Sequence, residues 1–308
     1  MIIAAHRNSH SGILPLIDGP QRDFLTDVFV VARRISMTDV SLDTLAAMFS
    51  CPWTGDESIG IDTAELRHLT ANYISTCRPV LIACDVCKDW GFTEGKPPHR
   101  IFLRKSIIDA GGRAYSLRDS LHYSKHVFFA AQVLSHEMVH LTRMALSLIT
   151  AGRIEYDTPP RLKIKGGGPG RATPLGTSGE AGWVMEDRVY GGKIVACDLD
   201  EGNPALGRLW ISGLTVPHVG WTFALQDEVV QKVVHCDPGW EREFPLRGRF
   251  QNVARRLDRV RLGGLESPLG ASVSSAESGG GHAGEGWRVG NCGGKISVEE
   301  ASATPIRR

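Results

Sequence analysis

The sequence lacks three features that would each assign it to a well-defined class of protein. It has seven cysteines in 308 residues, and this odd, low number argues against a disulfide-stapled secreted scaffold. It has no excess of charge, because 35 lysines and arginines balance 34 aspartates and glutamates. A protein that coats nucleic acid needs cations concentrated on one face, so we expect no nucleic-acid partner. Its 35 glycines follow no regular period, which excludes collagen.

Long uninterrupted apolar runs are also missing. Histidines and an arginine interrupt the N-terminal residues, which therefore lack the apolar stretch of a signal peptide. The most apolar window, 126–150, has two histidines and a glutamate at its centre, and these groups would be costly in a bilayer. We therefore expect a cytoplasmic protein with reduced thiols and no membrane partner.

The residues that are present predict a folded α+β protein. Apolar residues make up 42% of the chain, which is enough for a core. Short β-branched runs predict strands at 78–84 and 100–108. Apolar residues recur with helical spacing in several segments, and the predicted helices are 23–34, a short helix from about Asp43, 125–149, 179–190, 219–234 and 251–262.

Composition divides the chain into three parts. A single domain is predicted over 20–262, preceded by an N-terminal extension over 1–19. Within the domain, the glycines and prolines of 151–178 predict a loop. The last segment, 263–308, is rich in glycine and serine without periodicity, so we expect a disordered tail.

One motif carries chemistry. His136-Glu137-Met138-Val139-His140 is an H-E-x-x-H motif at the centre of the predicted 125–149 helix. Residues four apart are neighbours on one helix face, about 5–6 Å between Cβ atoms, so both imidazoles can bind one metal ion. The flanks are apolar on nearly every face, which predicts a buried helix, and buried ionisable groups need a partner. Zinc would be such a partner; the alternative is two hydrogen-bonded core histidines beside an ion-paired glutamate.

The motif resembles the active-site helix of the zincin metallopeptidases. A metzincin would have glycine and histidine three and six residues after His140, where this sequence has Arg143 and Leu146. The resemblance is therefore to the gluzincin type, whose third ligand is a glutamate from a separate downstream helix. It implies one zinc ion per chain, with three protein ligands and one position open to water. The Gly-Glu-Ala-Gly segment near residue 180 is also similar to uncharacterised fungal H-E-x-x-H proteins.

Glu180 is the third ligand that this resemblance indicates. Two small residues follow it, and they would let its helix approach the motif helix closely. Glu186 is the alternative ligand. On a helical wheel Asp187 shares the face of Glu180, where it could orient a zinc-bound histidine. A purely structural alternative is a capping box, in which Thr177 and Glu180 satisfy amides at the helix start.

Two weaker patterns have other interpretations. Cys84 and Cys87 have ligand-like spacing, and Cys51 and Cys77 could complete a second zinc site; a redox pair is another alternative, and buried inert thiols are favoured. Residues 241–262 hold seven arginines against three acidic residues. This excess predicts a solvated helix face, with an anionic partner as the alternative.

The resemblance implies a zincin-like fold, with a small mixed sheet packed on the motif helix and a helical second half. Segment 100–108 would be an edge strand, along which a peptide or protein substrate could add as a further strand. In peptide hydrolysis, His136, His140 and Glu180 would bind zinc and Glu137 would be the general base. One rival function is a non-catalytic metal-binding or scaffold protein that retains the helix, although an intact Glu137 counts against it. The other is a module whose arginine-rich segment and tail bind an anionic partner.

Overall fold

The structure is a computed structural model of the chain, and it describes residues 3–8, 12–14, 17–49, 62–85, 87, 89–94, 99–151, 172–173, 176–177, 180–200, 203–212 and 222–246. The helices within these ranges are α1 (Pro20–Ser36), α2 (Asp39–Phe49), α3 (Thr63–Thr76), α4 (Lys105–Ser116), α5 (Ser120–Ala151), α6 (Ala181–Met185), a π-helical turn (Glu186–Tyr190), α7 (Asp227–His235) and a 3-10 turn (Trp240–Glu243). The strands are β1 (Ile3–Asn8), β2 (Gly12–Leu14), β3 (Val80–Cys84), β4 (Gly91–Glu94), β5 (Arg100–Arg104), β6 (Ala172–Thr173), β7 (Gly176–Thr177), β8 (Lys193–Asp200), β9 (Asn203–Ser212) and β10 (Thr222–Ala224).

A five-stranded mixed sheet has the order β2-β1-β3-β5-β4. Strands β1, β3 and β5 run parallel, while β2 and β4 pair antiparallel at the two edges. The continuous apolar sequence of β3 is typical of a parallel strand covered on both faces, and four of its five residues are buried. The segment 1–19, predicted as an extension, contributes β1 and β2 to this sheet. Ile3 pairs with Val80, a partner 77 positions away that local sequence does not reveal.

Helix α5 is the central element of the core. It contacts α1, α4, α6 and α7, together with β4 and β5. Its buried side chains lie on every face, including Phe128, Phe129 and Leu134. The prediction of a buried helix over 125–149 is therefore confirmed. Among the described helices, α5 included, none is both long enough and apolar enough to cross a membrane.

The described residues of the second half of the chain are less helical than the sequence indicates. Strands β8, β9 and β10 form a three-stranded antiparallel sheet, so the prediction of a helical second half is wrong. The predicted helix 219–234 is α7 preceded by β10. The described residues thus confirm a mixed helix and strand fold of the α+β class. The predicted helix 251–262 and the tail 263–308 lie outside the described residues.

The predicted strand 100–108 is wrong in both its length and its place. The strand ends at Arg104, and α4 begins at Lys105. Strand β5 lies between β3 and β4, so it is an interior strand, and β4 is the edge on that side of the sheet. The apolar residues Ile107 and Ile108 resemble a continuing strand in sequence, but they are buried on the inner face of α4.

Cys84 and Cys87 form a disulfide. Strand β3 ends at Cys84, and the chain turns so that the two Cα atoms lie 5.7 Å apart, a normal disulfide span. The interpretation as inert thiols and the expectation of reduced thiols are therefore both wrong for this pair, and neither sulfur is available as a zinc-binding thiolate. Cys77 is a free, half-buried thiol, and Cys51 lies outside the described residues.

Candidate metal centre

Helix α5 presents both motif histidines on one face. Their ring centroids lie 5.4 Å apart, as expected for residues one turn apart on a helix. The side chain of His136 is 16% exposed and that of His140 is 23% exposed, although most of the helix around them is buried. Both imidazoles are therefore partly accessible to solvent.

Glu180 meets these histidines from the start of α6. It is the N-cap residue in an extended conformation, and its Oε1 accepts a hydrogen bond of 2.9 Å from the backbone N–H of Gly182. The same oxygen lies 3.1 Å from Nε2 of His140 and 3.6 Å from Nε2 of His136. Glu180 is thus both a helix cap and a member of the cluster. It is itself the cap, so the capping box that begins at Thr177 is wrong.

The three side chains have the spacing of a metal site. Their candidate ligand atoms all lie within 4.8 Å of one another, and no other such group occurs in the described parts of the chain. Two ligand atoms bound to zinc at tetrahedral angles lie about 3.4 Å apart, because each bond is about 2.0–2.1 Å long. The separations from Glu180 lie on either side of this value. His136, His140 and Glu180 can therefore hold one metal ion, and their partial exposure leaves a side open to a fourth group.

Gly182 allows α6 to approach α5 this closely. A Cβ atom at this position would lie 2.3 Å from Nε2 of His136 and 2.4 Å from two of its ring carbons. Ala181, the other small residue after Glu180, is fully buried. The prediction that small residues let the two helices come together is confirmed. The glycine is required by the position of an imidazole rather than by its own backbone angles.

Glu186 contacts the ring nitrogen of His136 that lies away from Glu180. Its Oε1 lies 2.6 Å from Nδ1 of His136, and the carboxylate is 4% exposed. An ionised carboxylate only accepts hydrogen bonds, so Nδ1–H donates and Nε2 faces the cluster. Glu186 is thus the residue that orients His136, and its interpretation as a ligand is wrong. An orienting role for Asp187 stays a prediction. The helical wheel that placed Asp187 on the face of Glu180 assumed that both residues belong to one helix. Glu180 is the N-cap and has an extended backbone, so the wheel does not give the angle between the two side chains.

The histidines and carboxylates of the site shift each other's pKa values. Burial alone would lower the pKa of His136, but its hydrogen bond to Glu186 and the charges of Glu186, Glu180 and Glu137 outweigh burial and raise the pKa to about 9. The pKa of His140 is also raised, because Glu180 and Glu137 outweigh burial and the charge of His136. Burial would raise the pKa of Glu180, yet the two histidines and the Gly182 amide lower it to about 2. The carboxylates of the cluster therefore stabilise positive charge at the two histidines.

Comparisons with protein-family models, with curated proteins and with solved structures find no match. Three features of the chain bear on its function. They are the spacing of the ligand atoms in the cluster, the hydrogen bond between His136 and Glu186, and the position of Glu137.

Glu137 is buried beside the cluster and faces strand β4. Its Oε2 accepts a hydrogen bond of 2.8 Å from the Thr93 hydroxyl, which also lies 3.1 Å from its backbone carbonyl oxygen. The carboxylate therefore has a fixed position next to the histidines without belonging to the ligand group. Sequence reasoning missed Thr93, because no motif distinguishes a threonine of a four-residue strand. The pairing of β4 with β5 is what brings it over α5.

Proposed function

We propose that this protein is a zinc-dependent metallopeptidase. The observation that carries the proposal is Oε1 of Glu180, which lies 3.1 and 3.6 Å from the two Nε2 atoms of an H-E-x-x-H helix. Two neutral imidazoles and one carboxylate are a ligand set that zinc prefers in hydrolytic sites. The intact Glu137 beside this set supports catalysis over a scaffold role, because metal binding alone does not need it. A zincin-like arrangement of the domain belongs to the same proposal.

The residues of the site have separate tasks. His136, His140 and Glu180 would hold the ion, and Glu186 keeps the Nε2 of His136 directed toward it. Bound zinc supplies Lewis acidity, which makes a water molecule acidic near neutral pH and polarises a substrate carbonyl. Glu137 accepts the proton of the attacking water on its carboxylate and donates it to the leaving amine.

Two variants test the metal and the chemistry separately. Wild-type protein should contain about one zinc per chain by elemental analysis, and the double variant His136→Ala/His140→Ala should contain almost none. Glu137→Gln should keep its zinc and lose most hydrolysis of fluorogenic casein, because an amide cannot accept the water's proton.

The helix offers a matched control. His122 and His126 are a second pair of histidines four residues apart in α5, about 21 Å and 15 Å along the axis from His136. They do not belong to the ligand cluster, so His122→Ala/His126→Ala should retain zinc. Equal zinc in wild type and His136→Ala/His140→Ala would contradict the metal site. Zinc binding with unchanged casein hydrolysis in Glu137→Gln would contradict the peptidase mechanism.

A further inference from the structure

We propose that Thr93 is a positioning residue that fixes the carboxylate of Glu137 for its role as general base. The inference rests on the proposed function and deepens it, because it concerns how the base is held. The Thr93 hydroxyl lies 2.8 Å from Oε2 of Glu137. The hydroxyl has one hydrogen to donate, and the backbone carbonyl oxygen of Glu137 also lies within reach. The hydrogen bond goes to Oε2, because an ionised carboxylate is a stronger acceptor than a backbone carbonyl. Oε1 is then the oxygen left to accept a proton.

The way β4 lies on α5 makes this contact specific. Residues 91 and 93 are two positions apart, so they point to the same face of the strand. At Gly91 a Cβ would lie 2.7 Å from Cγ1 of Val133 and 3.2 Å from Cγ of Glu137. The glycine thus allows the strand to lie directly on the helix at the turn that carries the motif. Thr93 reaches Glu137 because of this close approach.

The other face of β4 is anchored independently. The ring of Phe92 stacks on that of Phe102 in β5, with centroids 4.2 Å apart and planes 4° from parallel. Phe92 packs there on a small apolar cluster that includes the Cys84–Cys87 disulfide. Four backbone pairs join β4 to β5. Thr93 therefore projects from a rigid strand, and its hydroxyl has a fixed position.

The hydrogen bond from Thr93 would keep the carboxylate of Glu137 away from the metal ligands. His136 and His140 attract this carboxylate, and a carboxylate that swings toward them would compete for the metal instead of accepting a proton. The hydrogen bond from Thr93 holds the side chain on the β4 side of the cluster. Misplacement of a reacting group by about 1 Å can reduce the rate about 100-fold. Loss of the Thr93 hydroxyl should thus affect turnover rather than zinc binding.

The test compares Thr93→Val, which keeps the shape of the side chain, with Thr93→Ser, which keeps the hydroxyl. Thr93→Val should contain about one zinc per chain, with a kcat on fluorogenic casein about 10–100-fold below wild type and a KM within about twofold. Thr93→Ser should recover most of the kcat. The matched control is Thr70→Val, since Thr70 is a fully buried threonine of α3 whose hydroxyl donates to the Leu66 carbonyl; it should leave kcat unchanged.

A second measurement does not depend on turnover. In a double-mutant cycle, Thr93→Val and Glu137→Ala, each of which removes one partner of the hydrogen bond, should have non-additive effects on the free energy of unfolding of the zinc-free protein. Additive effects would show that Thr93 and Glu137 do not interact, which would overturn the positioning role. If Thr93→Val does not fold, Thr93→Ala replaces it in both experiments.

The outcomes separate this inference from the proposed function. An unchanged kcat in Thr93→Val, together with an inactive Glu137→Gln, overturns the role of Thr93 and leaves the peptidase intact. Full activity of a zinc-loaded Glu137→Gln overturns the peptidase mechanism, and the role of Thr93 with it. A fall in kcat that Thr93→Ser does not reverse shows a structural effect and overturns the positioning role.

Discussion

Replacement of Gly182 by alanine should remove His136 from the metal site. The added Cβ would lie 2.3 Å from Nε2 of His136, whereas ordinary contacts begin at 3.4 Å. The imidazole must therefore move by about 1 Å, while metal–ligand distances vary by only about 0.2 Å. A displacement of this size would prevent His136 from binding a metal ion held by His140 and Glu180. We expect zinc affinity to fall at least about 100-fold, because even loss of an orienting contact costs about 10–100-fold.

The same substitution should affect the fold much less. Alanine is favoured over glycine in a helix by about 1 kcal/mol, and overpacking costs about 1–3 kcal/mol. The free energy of unfolding of the zinc-free protein should thus fall by about 2 kcal/mol or less. Urea unfolding measures this change, and competition with a chromophoric chelator measures the zinc affinity. Selective damage to the site is therefore the expected result.

Gly111→Ala is the matched control. A Cβ at Gly111 in α4 would lie 2.2 Å from the Phe24 ring, which is an equally severe collision. Phe24 is a core residue without a metal-binding atom, so this variant should lose stability and keep its zinc affinity. A folded Gly182→Ala that binds zinc as tightly as wild type would refute the packing of Gly182 on His136. An equal loss of zinc affinity in Gly111→Ala would refute the claim that the effect is local.

Two further predictions concern the charges of the site. Glu186→Gln should weaken zinc binding about 10-fold or more, because a neutral amide orients the Nδ1–H of His136 less strongly. Chelator competition measures this loss, and unchanged zinc affinity in Glu186→Gln would contradict the orienting role of Glu186. The same assay on Asp187→Asn tests whether Asp187 also orients a histidine. Because the pKa of His136 is raised to about 9 and that of His140 is also raised, metal binding at pH 7 should displace protons from these histidines. Metal affinity should therefore rise with pH and level off above about pH 9. Calorimetry in buffers of different ionisation enthalpy measures the protons released, and no release at pH 7 would contradict these pKa values.

Several helices were predictable because their signals are local, but α3 and α4 were not predicted. The apolar spacing of 125–149 lies within α5, and Gly191, with φ at 82°, ends the helical segment where the sequence indicates. The same reasoning failed at 100–108. Strand and helix both bury Ile107 and Ile108, so a short apolar run does not distinguish between them.

The sequence by itself determined the two histidines of the cluster, because four residues of α-helix always place them on one face. It also indicated Glu180, through a resemblance and the two small residues that follow it. Only the tertiary structure decided which side chains surround these three. Glu186 became the partner of His136 because Glu180 caps the helix from outside, and Thr93 reached Glu137 because β4 pairs with β5. Contacts of this kind join residues 44 and 50 positions apart, where spacing along the chain no longer fixes distance in space.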